Sequence, residues 1–145
     1  HDESAANGNN EGDRALAEGI HLCNVERNGD VVEMTSYAPL LCKDGYANWN
    51  PDMMYFNNNK VRVTESYHVQ KMFSVHSGDV YIASDLQLPE VLKRYVGVSV
   101  VRDSKSGKVW LKVVNALPRT LKLKLSGMTQ KEIEIGPRQS NVWAL

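Results

Sequence analysis

Asn48, Trp49 and Asn50 stand together in a loop that reads N-W-N-P-D-M-M-Y-F. An indole face gives the C–H surface of a sugar ring a flat apolar platform, and flanking carboxamides can both donate to and accept from its hydroxyls. The same residues also suit a loop anchor, with Asn50 before Pro51 setting a turn. Tyr37, in S-Y-A-P, is a fourth candidate for sugar contact, weighed against simple packing beneath the loop. Read as a binding set, the four residues suit a polyhydroxylated ligand and supply no nucleophile.

Other chemistry-bearing residues read as structural. His21 and His68 fall in helical segments, and His76 shares an apolar helical stripe, with no partner at metal-ligand spacing. No metal and no cofactor is implied. Trp110 and Trp143 fall in strand-like segments, where a core or sheet-face role outweighs stacking on carbohydrate. The chain has no glycine-rich phosphate loop, no nucleophile elbow and no zinc signature.

The elements that would position the loop follow from periodicity. Residues 1–12 are polar and rich in Asn and Gly, which predicts a loop, with Asp13 or Asn10 capping the first helix. Leu16, Ile20 and Cys23 at i, i+4 and i+7 predict that helix from Arg14 to Asn28, with Gly29 as a left-handed cap. The apolar run Val31–Tyr37 predicts a strand. Val69, Met72, Phe73 and His76 predict a helix that ends at Gly78. About 25 residues separate Ala38 from Thr64, more than a packed strand-to-helix connection needs. A single strand between two helices leaves both backbone edges unpaired, so residues 1–78 are expected to be one wedge of a larger barrel or sheet.

From Asp79 the period changes to two. Val80 and Ile82, Val96 to Val100, Val109 to Val113, Leu121 to Leu125, Ile133 and Ile135, and Val142 with Ala144 predict six short strands. Lys122 and Lys124 alternate with leucines while Glu132 and Glu134 alternate with isoleucines, so opposite charges can pair across an exposed sheet face. D-S-K-S-G-K at Asp103–Lys108 predicts a hairpin turn. Residues 79–145 are expected to form an antiparallel β-sandwich.

S-Y-A-P-L-L, then W-N-P-D, then S-Y-H-V-Q-K-M-F resemble the last strand, loop and helix of the barrel in α-L-arabinofuranosidases of glycoside hydrolase family 51. The preceding L-A-E-G-I-H-L-C-N-V-E-R-N-G-D resembles the helix before that strand. The similarity covers residues 15–80 most fully. It implies an α/β plus all-β fold: the closing helix-strand-helix of a (β/α)8 barrel over 1–78, then a jelly-roll-like sandwich over 79–145. It also implies a parent enzyme that removes terminal α-L-arabinofuranosyl groups from arabinose-containing glycans with retention of configuration.

Such chemistry needs two carboxyl groups about 5 Å apart. The resemblance places the nucleophile shortly before His1 and the acid/base further upstream, so no catalytic residue falls within this chain. The chain alone is expected to be inactive, with the remainder of the parent barrel as its partner. Glu33 lies near the start of its strand, whereas barrel active sites form at carboxyl ends, and Asp2 and Glu3 read as solvated loop residues. The family carries a longer segment before its final strand. Here Gly127 runs through Met128, Thr129 and Gln130 into the next strand, so either that segment is short or residues are absent.

Composition bounds the rest. The chain has 145 residues, is 42% apolar and 23% charged, and balances 17 basic against 17 acidic residues. That is globular composition with no net field to gather nucleic acid or an anionic membrane. No apolar run approaches a membrane span and His1 opens no secretory signal, so the chain reads as a processed or excised piece. Cys23 and Cys42 read as free thiols. Family members include intracellular and secreted enzymes, and the expectation leans to an extracellular or periplasmic location. The rival reading is a non-catalytic carbohydrate-binding or assembly module, and exposed barrel edges leave homo-oligomerisation open.

Overall fold

The computed structural model describes the backbone over residues 3–145 and side chains over 11–145. The order of elements is α1 (Glu3–Arg27), β1 (Leu41–Lys43), β2 (Met54–Phe56), β3 (Val61–Val63), α2 (Glu65–Val75), β4 (Val80–Tyr81), α3 (Glu90–Lys93), β5 (Val96–Arg102), β6 (Val109–Asn115), β7 (Leu121–Leu125), β8 (Lys131–Ile135) and β9 (Gln139–Ala144).

Three layers stack. The middle layer is an antiparallel sheet in the order β4-β5-β6-β9, and the hairpin β7-β8 lies over one face. Val96, Val100, Val109, Leu111 and Val113 meet Leu121, Ile133 and Ile135 there, and Trp143 packs at the margin. Helices α1 and α2 cover the opposite face, where Leu16, Leu22, Cys23, Val69 and Phe73 close around Val114. Because both faces are covered, β5 and β6 are almost continuously buried. Gly97 permits the close approach, since a Cβ there would lie 3.0 Å from the Ile20 Cα and 3.1 Å from the Cys23 Sγ.

All six strands expected from Asp79 onward form. Lys122 pairs in register with Glu134 and Lys124 with Glu132, with ammonium–carboxylate separations of 3.7 and 3.6 Å on the exposed face. In the Asp103–Lys108 turn the Asp103 amide donates to the Lys108 carbonyl at 2.9 Å, and Gly107 adopts φ 74°. The link between β7 and β8 closes tightly, with Leu125 opposite Lys131 and Gly127 at φ 104°. Both cysteines are buried free thiols.

The first half departs from the periodicity in several places. Residues 3–12 are helical, so Asn10 and Asp13 lie inside α1 and cap nothing. Ala5 and Ala6 favour helix strongly enough to carry it past the asparagines. Asp2 lies outside the described residues, as does the side chain of Glu3. Gly29 has no left-handed φ. Instead Asn28 closes α1, its amide donating to the Asn24 and Val25 carbonyls and its Nδ2 to the Asn24 carbonyl at 2.7 Å.

The expected strand Val31–Tyr37 joins no ladder. Val31 and Met34 are 76% and 87% exposed, and Glu33 is exposed as well. A strand exists only by pairing, and this chain offers that segment no neighbour. The long connection to α2 carries its own small sheet, β1-β2-β3, in which β1 and β2 run parallel.

Candidate functional site

The small sheet holds the Asn48–Asn50 loop at one end of α2. The Met53 amide donates to the Pro39 carbonyl at 3.2 Å and that of Met54 to the Leu40 carbonyl at 3.0 Å. On the other side, the Thr64 hydroxyl donates to the Met53 carbonyl at 2.8 Å and its amide to the same oxygen at 3.2 Å. Thr64 is the residue from which α2 starts. One side chain therefore ties the loop to the helix.

Of the four residues expected at the site, Asn48, Trp49 and Asn50 are exposed and Tyr37 is half-buried. Trp49 is 65% exposed, so it does not anchor the loop within this chain. Asn50 is held: the Tyr55 hydroxyl donates to its Oδ1 at 2.9 Å, and the Asp52 amide donates to that same hydroxyl at 3.0 Å. The Arg62 guanidinium lies 4.4 Å from the centre of the Tyr55 ring, fixing the ring in turn. Asn50–Pro51 and Ala38–Pro39 are both cis peptides.

Beneath the loop lies a polar cluster that periodicity alone does not pick out. Asp52 is 3% exposed, and its Oδ2 has no hydrogen-bond partner among the described residues. Burial, then the neighbouring Asp52 carboxylate, pushes the Cys42 thiol up. Burial also pushes the Tyr37 hydroxyl up, opposed by a hydrogen bond with Ser66, with Glu18, Tyr55 and Asp52 adding smaller upward effects. These influences place Tyr37, Tyr55 and Asp52 in one neighbourhood. The available signal was the spacing of Asp52 and Tyr55 after Trp49, which lets the phenol fold back onto the residues preceding it.

The arrangement offers a stacking face and hydrogen-bonding groups. It presents an open indole, carboxamides on both sides and a pinned phenol, with Asp52 the one buried carboxylate among the described residues. Among the described residues no group of three or more His, Cys, Asp or Glu side chains is placed to hold a metal ion. No described helix is long and apolar enough to cross a membrane.

Comparison with known proteins gives the arrangement its context. The family model of the α-L-arabinofuranosidase C-terminal domain matches residues 2–136. An extracellular exo-α-L-arabinofuranosidase of Streptomyces chartreusis is 42% identical over 69 residues, 48% of this chain and 8% of that protein. α-L-Arabinofuranosidase 1 of Arabidopsis thaliana is 42% identical over 73 residues, 50% of this chain and 11% of its own length. A probable α-L-arabinofuranosidase A of Aspergillus oryzae is 33% identical over 127 residues, 83% of this chain and 19% of that protein.

The solved structure of an arabinose-bound α-L-arabinofuranosidase, MgGH51, superposes with a TM-score of 0.67 at 26% identity, covering 90% of this chain and 25% of that one. This chain thus spans less than a fifth of the length of these three relatives. Its helices and antiparallel sheets are consistent with the C-terminal β-sandwich domain of that family. The chain belongs to the α-L-arabinofuranosidase C-terminal domain family of glycoside hydrolase family 51.

Proposed function

We propose that this chain is the C-terminal part of a retaining α-L-arabinofuranosidase. In that reading residues 1–78 supply the last helix-strand-helix of a (β/α)8 barrel and 79–145 its trailing jelly-roll-like sandwich. Trp49, Asn48, Asn50 and Tyr37 form one wall of the arabinose pocket. The observation that carries the reading is the bare stretch from Val31 to Val61, where Val31, Met34, Leu40, Leu41, Trp49 and Val61 are all exposed. An apolar surface this extensive needs a cover. The unpaired run at 31–38 is open to neighbouring strands, and the buried Asp52 Oδ2 has no donor among the described residues.

The parent enzyme removes terminal α-L-arabinofuranosyl groups from arabinose-containing polysaccharides or oligosaccharides. Both glutamates lie on earlier barrel strands, so the isolated chain turns nothing over. The expected location is extracellular or periplasmic, in keeping with the extracellular Streptomyces chartreusis relative. The test is hydrolysis of 4-nitrophenyl α-L-arabinofuranoside by the purified chain and by a chimera in which it replaces the matching stretch of the Aspergillus oryzae relative. Turnover by the chimera alone supports the reading; turnover by the isolated chain, or an inactive folded chimera, contradicts it.

A further inference from the structure

A second surface can take a sugar. Along β6, Trp110, Lys112 and Val114 point to the helix side of the middle sheet; Lys112 and Val114 are wholly buried there. Trp110 is only half-buried, because α2 stops at Val75 before covering it. A cleft of about 560 Å³ opens at this point, lined by Val75, Asp79, Asp103, Ser106, Lys108 and Trp110 among others.

Several groups lining the cleft are held in place. His76 packs against Trp110 with ring centroids 4.7 Å apart at 74°. Its Nδ1 lies 2.9 Å from the Met72 carbonyl oxygen. Asp79 accepts from the Ser104 amide at 2.7 Å and from the Ser104 hydroxyl. Asp103 accepts from the Lys105 amide at 3.0 Å and from the Ser106 hydroxyl. These bonds hold both carboxyls below the usual carboxylate range, and each carboxylate, with about four acceptor sites, keeps some of them for hydroxyl donors. The Lys108 Nζ hovers 5.9 Å from the centre of the indole ring, within reach of anything stacked on it.

We propose that this cleft binds a neutral oligosaccharide, with Trp110 as the stacking platform, Asp79 and Asp103 accepting from sugar hydroxyls and Lys108 donating to a ring or hydroxyl oxygen. Charge decides the class of ligand. Asp79 and Asp103 line the cleft with Lys105 and Lys108, so an anion or a cation meets repulsion from one pair, whereas an uncharged polyol uses both. The proposal goes beyond the barrel reading and does not require it.

The test is titration of the full chain with linear arabino-oligosaccharides, and separately with xylo-oligosaccharides, followed by the three tryptophan indole N–H resonances. A saturable shift at Trp110 is expected with at least one series. Trp110→Ala should weaken binding about tenfold, the size of a stacking contribution near 1.4 kcal/mol. Asp103→Asn, which leaves the sheet face intact, should weaken it several-fold, and Met128→Ala, at an exposed position on the β7–β8 link, should leave it unchanged. No saturable shift at Trp110 with either series overturns the proposal, as does binding that Trp110→Ala leaves undiminished. An inactive chimera in the hydrolysis test would leave this result standing, because the titration uses the chain alone.

Discussion

The ammonium of Lys112, wholly shielded from solvent, is paired with the Glu26 carboxylate across the boundary between α1 and the middle sheet. The Ser99 hydroxyl of β5 donates to the other oxygen of the same carboxylate, and the ammonium sits 4.8 Å from the centre of the Phe73 ring on α2. One cation therefore touches both helices from the strand that lies at the centre of the sandwich. The helical layer and the sheet form a single packed unit, and the Asn48–Asn50 loop is attached to it through α2 and Thr64.

The two partners of that pair should respond unequally to removal. Glu26 is 20% exposed in its side chain while Lys112 is 0% exposed, so water can reach an abandoned carboxylate more readily than an abandoned ammonium. Glu26→Ala should cost about 3 kcal/mol of unfolding free energy and Lys112→Met about 1 kcal/mol, with the double variant losing less than the sum. Urea titration of the three variants measures this; equal losses that simply add would refute it.

A methyl group at Gly97 should push α1 away from β5. The added Cβ would meet the Ile20 backbone, which cannot swing aside as a side chain could. Gly97→Ala is expected to lower stability by about 1–3 kcal/mol. The same change at Gly45, where nothing lies within 4 Å but φ is +83°, should cost only about 1 kcal/mol of backbone strain. Thermal denaturation of the two variants compares them directly.

The thiols should be inert in the native state. Burial pushes Cys23 up to about 12 from an ordinary 9.0, with the Glu26 charge adding to the effect, and Cys42 is raised in the same direction. A folded-state value above the unfolded one stabilises fully below pH 9.0 and is lost as pH rises toward 12. Titration with a thiol-specific disulfide reagent at pH 8 should release colour only on unfolding, and stability should decline between those two pH values. Rapid native labelling at pH 8 would show that the cysteines are not enclosed.

Acid should act first on the β5–β6 turn. Asp79 is held below its ordinary 3.8 by its bonds to Ser104, and Asp103 below 3.8 by its bonds to Ser106 and Lys105. A depressed folded value gives stability that is present above pH 3.8 and is lost as pH falls through the lower folded value. Asp79→Asn should therefore flatten the decline of the urea midpoint below pH 4 while removing some stability at pH 7. An unchanged acid limb would show that the bonds do not persist in solution.

The second half of the chain was legible because its strands pair with one another. Alternation over Leu121–Leu125 and Ile133–Ile135 carries the hydrophobic face, and the lysine and glutamate rows carry the register, all within the 145 residues. The first half was less so. Val31–Tyr37 has strand composition but no partner here, and α1 extends N-terminally through asparagines that favour loops. The cover over β5 and β6 was also hidden, since a valine-rich strand looks alike whether one face or both are buried. At the site, residue types pointed to Trp49 and its asparagines, while the Tyr55 brace and buried Asp52 depend on a backfold that no periodicity encodes.

Hydrogen exchange at the amides of residues 31–38 tests most directly whether this chain is one section of a larger closed barrel. In the isolated chain those amides should exchange within seconds, at rates close to an unstructured peptide, while β5 and β6 remain protected. In the chimera carrying the preceding barrel strands, the same amides should slow by about a thousandfold or more as the strand ladder forms. Protection of 31–38 already present in the isolated chain, or exchange unchanged in a folded chimera, would contradict the account.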